Sequence, residues 1–411
     1  MKRIHRLLPV REEVELHQFL VELDTAPLRR PFDAETITFC GDISKRLLAD
    51  RHARRFPALQ ALGFWIRRAA LEQLRDAWRL TQTTNAIAVP QGTVFHVPPS
   101  NIDTMFVYSW VLALLMGNRN IVRVPSRDTE QVVILSRIIG DAFQAAPGEF
   151  SSSNAMLRYG HEDDVTSALS AACDVRVIWG GDASVDHIRS IRIPARATDV
   201  TFPDRFSLAA LRAGAVLALA PSDLDALAVR FFNDAYWFDQ MGCSSPRLVV
   251  WCGEDEATSR AAEVFFAAVE TVVAARGYEN DIGTAVAKQS YLHGAVLELP
   301  VSRVRRTTNE VVVLTLEQPV LNRDYLFGAG CFLEIRLRQL HELIPQLSRR
   351  DQTLAVFGFP ESELEAFVCG ANGRGIDRIV PIGDALAFHH IWDGKDLLRC
   401  FSRLVTAPVS S

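Results

Sequence analysis

In LQALGFWIRRAALEQLRDAWRL, apolar residues recur every three or four positions with arginines between them. That spacing predicts helix over residues 43–80. The texture then changes. TVFHVP (93–98) is a β-type run ending in the turn PPSN. NIDTMFVYSWVLALLMGN predicts a helix that stops at Gly117 and Asn118, residues that tolerate the left-handed backbone closing a helix. NIVRVP (120–125) predicts a strand, and SRDTEQVVILSRIIGDAF a helix with Ser126 as N-cap. DVRVIW (174–179) predicts a strand, GGDASVDHIRSI a turn into a helix, and ATDVTF (197–202) another strand. Strands alternating with helices call for a parallel sheet with crossover helices, a Rossmann-type domain.

After DRFSLAALRAG the pattern restarts. SDLDALAVRFFNDAYWF (222–238) predicts an amphipathic helix, RLVVWC a strand and DEATSRAAEVFFAAVETVVAARG a long helix, with GAVLEL and EVVVLTL as further strands. The expected organisation is an N-terminal helical region with a Rossmann-type domain over 1–210, and a second α/β domain over 211–370. A C-terminal segment over 371–411 follows, whose turn-rich GIDRIVPIGDALAFHHIWDG reads as a functional loop. A chain of 411 residues is too long for one simple core, which agrees with two domains.

Composition narrows the class. Apolar residues at 48% and charged residues at 23% suit a soluble globular protein, and a net charge of -5 argues against a general nucleic-acid binder. The longest apolar stretch, FVYSWVLALLM (106–116), is too short to span a bilayer and reads as a buried helix. MKRIHRLLPVREE lacks the apolar core of a signal peptide. Seven scattered cysteines form no CxxC pair and no metal-ligand spacing, so reduced thiols in the cytoplasm and no metal are expected.

The chain has no GxGxxG, P-loop, HExxH or GxSxG. Motif absence alone favours a sugar, acyl or peptide substrate over a dinucleotide. Gly180 and Gly181, between a strand and a helix, would let an anion approach a helix N-terminus, and would equally make a tight turn. Cys243, in DQMGCSSPR, has small neighbours that leave its sulfur accessible, although a free cysteine is more often packing. Asn101, in the turn after TVFHV, could donate to an oxyanion or serve only the turn. Phe106, Tyr108, Trp110, Phe231, Phe232 and Trp237 could line an apolar tunnel, but at helical spacing they read first as core.

These pieces occur in the order of one family. VFHVPPSNIDTMFVYSWVLALLMGNRNIVRVPSRD resembles the aldehyde dehydrogenase superfamily block in which a Pro-Asn turn opens a helix ending in Gly-Asn, and a strand ends at a basic residue before Pro-Ser. VIWGGDASVDHIR resembles that superfamily's cofactor segment, and DQMGCSSPRLVV its nucleophile loop. GCSSPRLVVW and DRIVPIGDALAFHHIWDG are most similar to the acyl-CoA reductase branch, which includes the fatty acyl-CoA reductases of bacterial bioluminescence. The resemblance runs from about residue 85 to 400 and is silent on the acyl chain.

The resemblance implies an aldehyde dehydrogenase-like α/β fold, with a Rossmann-type cofactor domain lacking GxGxxG and a catalytic α/β domain. It implies NADPH-dependent reduction of an acyl thioester to an aldehyde. Cys243 would be the nucleophile that takes the acyl group, with Asn101 and the Cys243 backbone N–H as oxyanion donors. The cofactor would lie against Pro99, Arg123, Ser126, Gly180 and Gly181. Arg123 matches the basic residue near the adenosine ribose, usually lysine. Ser126 stands where NAD-preferring relatives carry glutamate, and Gly181 replaces the usual serine. Implied partners are acyl-CoA or an acylated carrier or synthetase protein, and a second copy of the chain, with no nucleic acid and no membrane span.

Two departures stand out. The family's water-activating glutamate would fall near Thr201, beside Phe202 and Pro203, where no carboxylate stands. The glutamate that contacts the nicotinamide ribose would fall near Tyr325, next to Asp324. The first loss suits a reductase. The alternatives are an aldehyde dehydrogenase that oxidises its substrate, and a non-catalytic acyl-holding subunit of a larger complex.

Overall fold

The short apolar runs assemble into two seven-stranded sheets. The computed structural model describes residues 2–82, 85–99 and 101–407. The chain divides into one unit of Met1–Pro203 with Phe388–Ser411, and a second of Asp204–Ala387.

In the first unit, β1 (Arg3–Leu8) and β2 (Glu12–Glu15) form an antiparallel edge that the pattern did not predict. β3 (Ala86–Pro90) lies outside this sheet. β4 (Thr93–Val97), β5 (Arg119–Arg123), β6 (Asn154–Arg158), β7 (Val175–Trp179) and β8 (Thr198–Phe202) are parallel. The sheet order is β2-β1-β6-β5-β4-β7-β8. The chain therefore builds outward from β4 to one side, then crosses to the other at β7. In open parallel sheets, ligands bind outside the carboxyl ends of the strands flanking such a reversal.

The helix Met105–Leu115 is apolar all round because all eleven of its residues are buried, as the sequence led us to expect. It ends at Gly117, whose φ is +82° and whose absent Cβ would sit 2.1 Å from the Arg29 carbonyl oxygen. The expected helix over 43–80 is three, Ala34–Ala49, Pro57–Trp65 and Arg68–Leu80. The Asp50 carboxylate takes the N–H groups of His52 and Ala53 after the first, and Pro57 opens the second. Ser126 is not an N-cap. The helix Glu130–Ala145 is capped by Thr129, whose Oγ1 accepts from Val132 N at 3.2 Å.

The second unit holds β9 (Phe206–Arg212), β10 (Pro246–Cys252), β11 (Val301–Arg306), β12 (Val312–Leu316), β13 (Cys331–Leu337), β14 (Asp351–Phe357) and β15 (Arg378–Pro381). Its order is β11-β12-β13-β10-β9-β14-β15, parallel except for β11. β9 and β15, near the expected boundaries at 210 and 370, both belong to this unit. Phe231, Phe265, Phe266 and Trp251 fill one face of the sheet, and Leu292, Leu333, Leu340 and Phe367 the other.

GAVLEL is not a strand. It ends the helix Ile282–Glu298, which buries Lys288, Leu292 and Ala295 on one stripe. Gly294 is needed there, since a Cβ would meet the Tyr325 hydroxyl at 1.8 Å. Pro300 then follows the helix, which disfavours helical backbone at Leu299.

The tail returns to the first unit. β16 (Ile391–Trp392) and β17 (Lys395–Asp396) form a short hairpin, and β18 (Ser402–Thr406) pairs antiparallel with β3. Asn118 secures it by donating from Nδ2 to the Phe401 carbonyl at 2.8 Å.

Candidate active site

Four of the residues expected to hold a cofactor lie at the carboxyl ends of neighbouring strands in the first unit. The loop after β4 carries Pro99, half-buried, and Asn101, exposed; Ser100 is outside the described residues. Arg123 ends β5, with its guanidinium 4.8 Å above the Tyr159 ring and Nη2 donating to the Gly160 carbonyl at 2.6 Å. Gly180 and Gly181 follow β7, and Gly181 is the residue from which the helix Asp182–Ser190 starts. Its first N–H groups lack partners within the helix and carry the positive end of its dipole. Glycine backbone, helix terminus and arginine together suit an anionic ligand such as a diphosphate, while Asp182 in the first turn opposes it. Ser126 lies three residues beyond Arg123 and is exposed.

Below this edge the wall is aromatic. Trp179 stacks on Phe202 with centroids 3.7 Å apart, and Trp392 of the IWDG tail packs on Tyr108 at 5.5 Å. The Tyr108 hydroxyl donates to the His389 carbonyl at 2.5 Å, so the tail is anchored as well as packed. Thr201 sits half-buried in β8, and Asp199, the carboxylate of that strand, is held by Arg176 through bonds of 2.8 and 2.9 Å. No carboxylate of β8 is poised to activate water.

In the second unit, Cys243 lies in the loop between the helix Pro221–Tyr236 and β10. Two residues before it take left-handed backbone without being glycine, Asp239 at φ 51° and Gln240 at φ 62°. Such strain persists only where surroundings impose it, and it collects at functional sites. Here the bracing is visible. Gln240, with zero exposure, donates to Pro246 O at 2.9 Å and accepts from Gly330 N at 3.0 Å and Cys331 N at 3.1 Å. The Asp239 carbonyl accepts from Ala329 N at 2.8 Å.

The Cys243 carbonyl accepts from Ser207 Oγ at 2.6 Å, and Gln352 Nε2 lies 3.8 Å from its sulfur. Cys243 is half-buried. By contrast Cys40, Cys173, Cys252 and Cys331 are buried, and burial pushes each of those thiols up to about 12. Arg247 lies near enough for its charge to interact with Cys243; burial lowers its pKa, and Nη2 reaches the Met241 sulfur at 3.8 Å. The cluster sits at the amino ends of β9, β10 and β14, so the strand-end rule that applies to the first unit did not point to it.

Sequence reasoning missed Ser207, Gln240, Arg247 and Gln352. Gln352 and Cys243 are 109 positions apart, and only the pairing of β14 with β9 and of β9 with β10 brings them together. At the second family glutamate position both residues have partners within the chain. Tyr325 stacks on Tyr291 at 5.1 Å, and Asp324 pairs with Arg350 at 2.6 Å. Phe106, Tyr108, Trp110 and Phe231 are wholly buried and Phe232 nearly so, which makes them core; Trp237 is half-buried. Among the described residues no group of His, Cys, Asp and Glu could hold a metal ion, and no helix is long and apolar enough to cross a membrane.

The family described as Acyl-CoA reductase (LuxC) matches residues 61–276, just over half of the chain. That span includes the Cys243 loop and stops short of the IWDG tail. The long-chain acyl-protein thioester reductase 2 of Photobacterium leiognathi is 23% identical over 181 residues, covering 44% of this chain and 36% of that protein. The long-chain acyl-protein thioester reductase of Photorhabdus laumondii subsp. laumondii is 21% identical over 340 residues, covering 81% of this chain and 66% of its own length. The chain thus matches between about a third and two thirds of these relatives. Among solved structures, a lactaldehyde dehydrogenase superposes with a TM-score of 0.65 at 12% identity, covering 98% of this chain and 95% of that one. The two-domain α/β architecture is therefore that of aldehyde dehydrogenases.

Proposed function

Because the chain belongs to the acyl-CoA reductase (LuxC) family, we propose that it reduces an acyl thioester to an aldehyde with NADPH, through a thioester on Cys243. The observation that carries the reading is the setting of Cys243. It is a half-buried thiol on a strained loop braced through Gln240 and Ser207, with an amide nitrogen 3.8 Å from its sulfur.

Cys243 attacks the thioester carbonyl, and the donor's thiol leaves. Asn101 and the Cys243 backbone N–H hold the oxyanion, each worth roughly 3–4 kcal/mol in the transition state. Pro99, Arg123, Ser126, Gly180 and Gly181 would hold the dinucleotide, the glycines and helix terminus taking its diphosphate and Arg123 its adenosine end. When bound, NADPH supplies the hydride that converts the acyl group to aldehyde. Arg123, Ser126 and Arg127 in place of an acidic residue favour the 2′-phosphate of NADPH, since arginine binds phosphate through paired donors.

The names of the curated relatives favour an acylated protein as donor, with free acyl-CoA as the other source. Free thiols throughout favour a reducing, cytoplasmic setting, and superfamily resemblance favours a homo-oligomer. The oxidative reading loses support from β8, and the acyl-holding reading from the intact Cys243 loop. The test mixes the protein with NADPH and a panel of acyl-CoAs and acylated carrier proteins, and follows NADPH loss and aldehyde together. Equal amounts of each are expected. Equal or better efficiency with NADH would overturn the cofactor assignment, and no aldehyde from any donor would overturn the reaction.

A further inference from the structure

We propose that Gln352 is a catalytic residue, whose side-chain amide donates to the Cys243 sulfur and holds it as the thiolate. The inference rests on Cys243 being the nucleophile. Gln352 is 2% exposed, and its Nε2 stands 3.8 Å from Sγ, within reach of an N–H···S bond that shortens when the sulfur is charged.

The amide is held in one orientation. Its Oε1 accepts the Ser244 hydroxyl at 3.0 Å, and Ser244 is itself 2% exposed. The Thr353 and Ser207 hydroxyls lie 3.5 Å from the same oxygen. Ser207 has one hydroxyl hydrogen, and the 2.6 Å bond to the Cys243 carbonyl takes it; its oxygen accepts from Thr353 N at 3.2 Å. The opposite orientation would aim amide lone pairs at the sulfur and repel a thiolate.

The backbone explains how a strand residue reaches this loop. The pairing of β14 with β9 slips in register between Asp351 and Leu354, and that of β10 with β9 slips between Pro246 and Leu248. Bulges re-aim side chains, and these two flank β9 at the level of Ser207. Asp351 fixes the start of β14 through paired bonds of 2.7 and 2.6 Å to Arg323.

A hydrogen bond to the charged form favours that form. The thiol gives its proton to water more readily, and attack on the thioester starts from a larger thiolate fraction. The acylated sulfur is neutral and a weaker acceptor. The bond therefore strengthens again as the sulfur leaves with the electron pair of the broken C–S bond.

The experiment measures iodoacetamide alkylation of Cys243 against pH, with peptide mass spectrometry separating it from the other six cysteines. The variants are Gln352→Met, of similar length with no donor, Gln352→Glu, and Ser244→Ala, which unlocks the amide but keeps it. Gln352→Met should lower alkylation at neutral pH by about tenfold, matching a midpoint raised by about one pH unit. Gln352→Glu should raise the midpoint further, and Ser244→Ala by less. Superimposable profiles for the wild type and the folded variants would overturn the proposal. Acyl transfer from an acyl thioester is read by mass in the same samples. An adduct with unchanged profiles sinks Gln352 alone, whereas shifted profiles with no adduct sink the nucleophile and with it the catalytic role of Gln352, leaving only its contact with the thiolate.

Discussion

Cys243 differs from the chain's buried thiols in what surrounds its sulfur. Burial disfavours the thiolate at four of them, whereas Cys243 is half-buried, faces an amide and lies within electrostatic reach of Arg247. Gln240 keeps the sulfur in place through three backbone partners. Gln240→Leu should leave those groups unpaired, lowering the melting temperature and cutting turnover at least tenfold; a melting change with full turnover per folded molecule would mean the loop holds without it. Asn101→Ala should cut turnover roughly a hundredfold with little change in melting, as loss of one oxyanion donor does. If only the melting temperature moves, Asn101 is a turn residue. Cys243 and Asn101 were legible as candidates because each sits in a short contiguous motif. Gln352 and Ser207 were not, since their role comes from strands paired across more than a hundred positions.

At the scale of elements, β4, β5, β7 and β8 followed from strands alternating with helices, the buried parallel ones reading as apolar runs, whereas β6, NAMLR, offers no such run and was not predicted. β9 was missed because its alanines and serine read as neither period, and GAVLEL was misread because short apolar runs do not separate strand from helix. The polar content of β4 has a consequence for pH. His96 has zero exposure, with Nδ1 2.7 Å from Ser109 Oγ and Nε2 3.2 Å from Asn120 Oδ1, and burial lowers its pKa to about 4. The unfolded chain takes up a proton near the usual value of about 6.5, which the folded chain refuses. Stability should therefore fall as pH drops from about 6.5 to about 4, by on the order of 3 kcal/mol from this group. Melting temperatures across that range should decline more steeply for the wild type than for His96→Gln. Parallel curves would contradict the assignment.

At the scale of the whole molecule, the account requires an acyl-enzyme that meets hydride and not water. Fast hydrolysis needs a positioned base, worth roughly a hundredfold or more. β8 supplies none, as Asp199 is held by Arg176 and Thr201 does not titrate near neutrality. Aldehyde with NADP⁺ should then release little carboxylic acid, and added CoA should carry the acyl group off as acyl-CoA. Rapid acid release without CoA would restore the dehydrogenase reading. The most direct test of the central claim is the intact mass of the protein after an acyl thioester is added without NADPH. The account predicts a single acyl adduct, mapped to the peptide DQMGCSSPR and absent from Cys243→Ala. An adduct that persists in Cys243→Ala would contradict it.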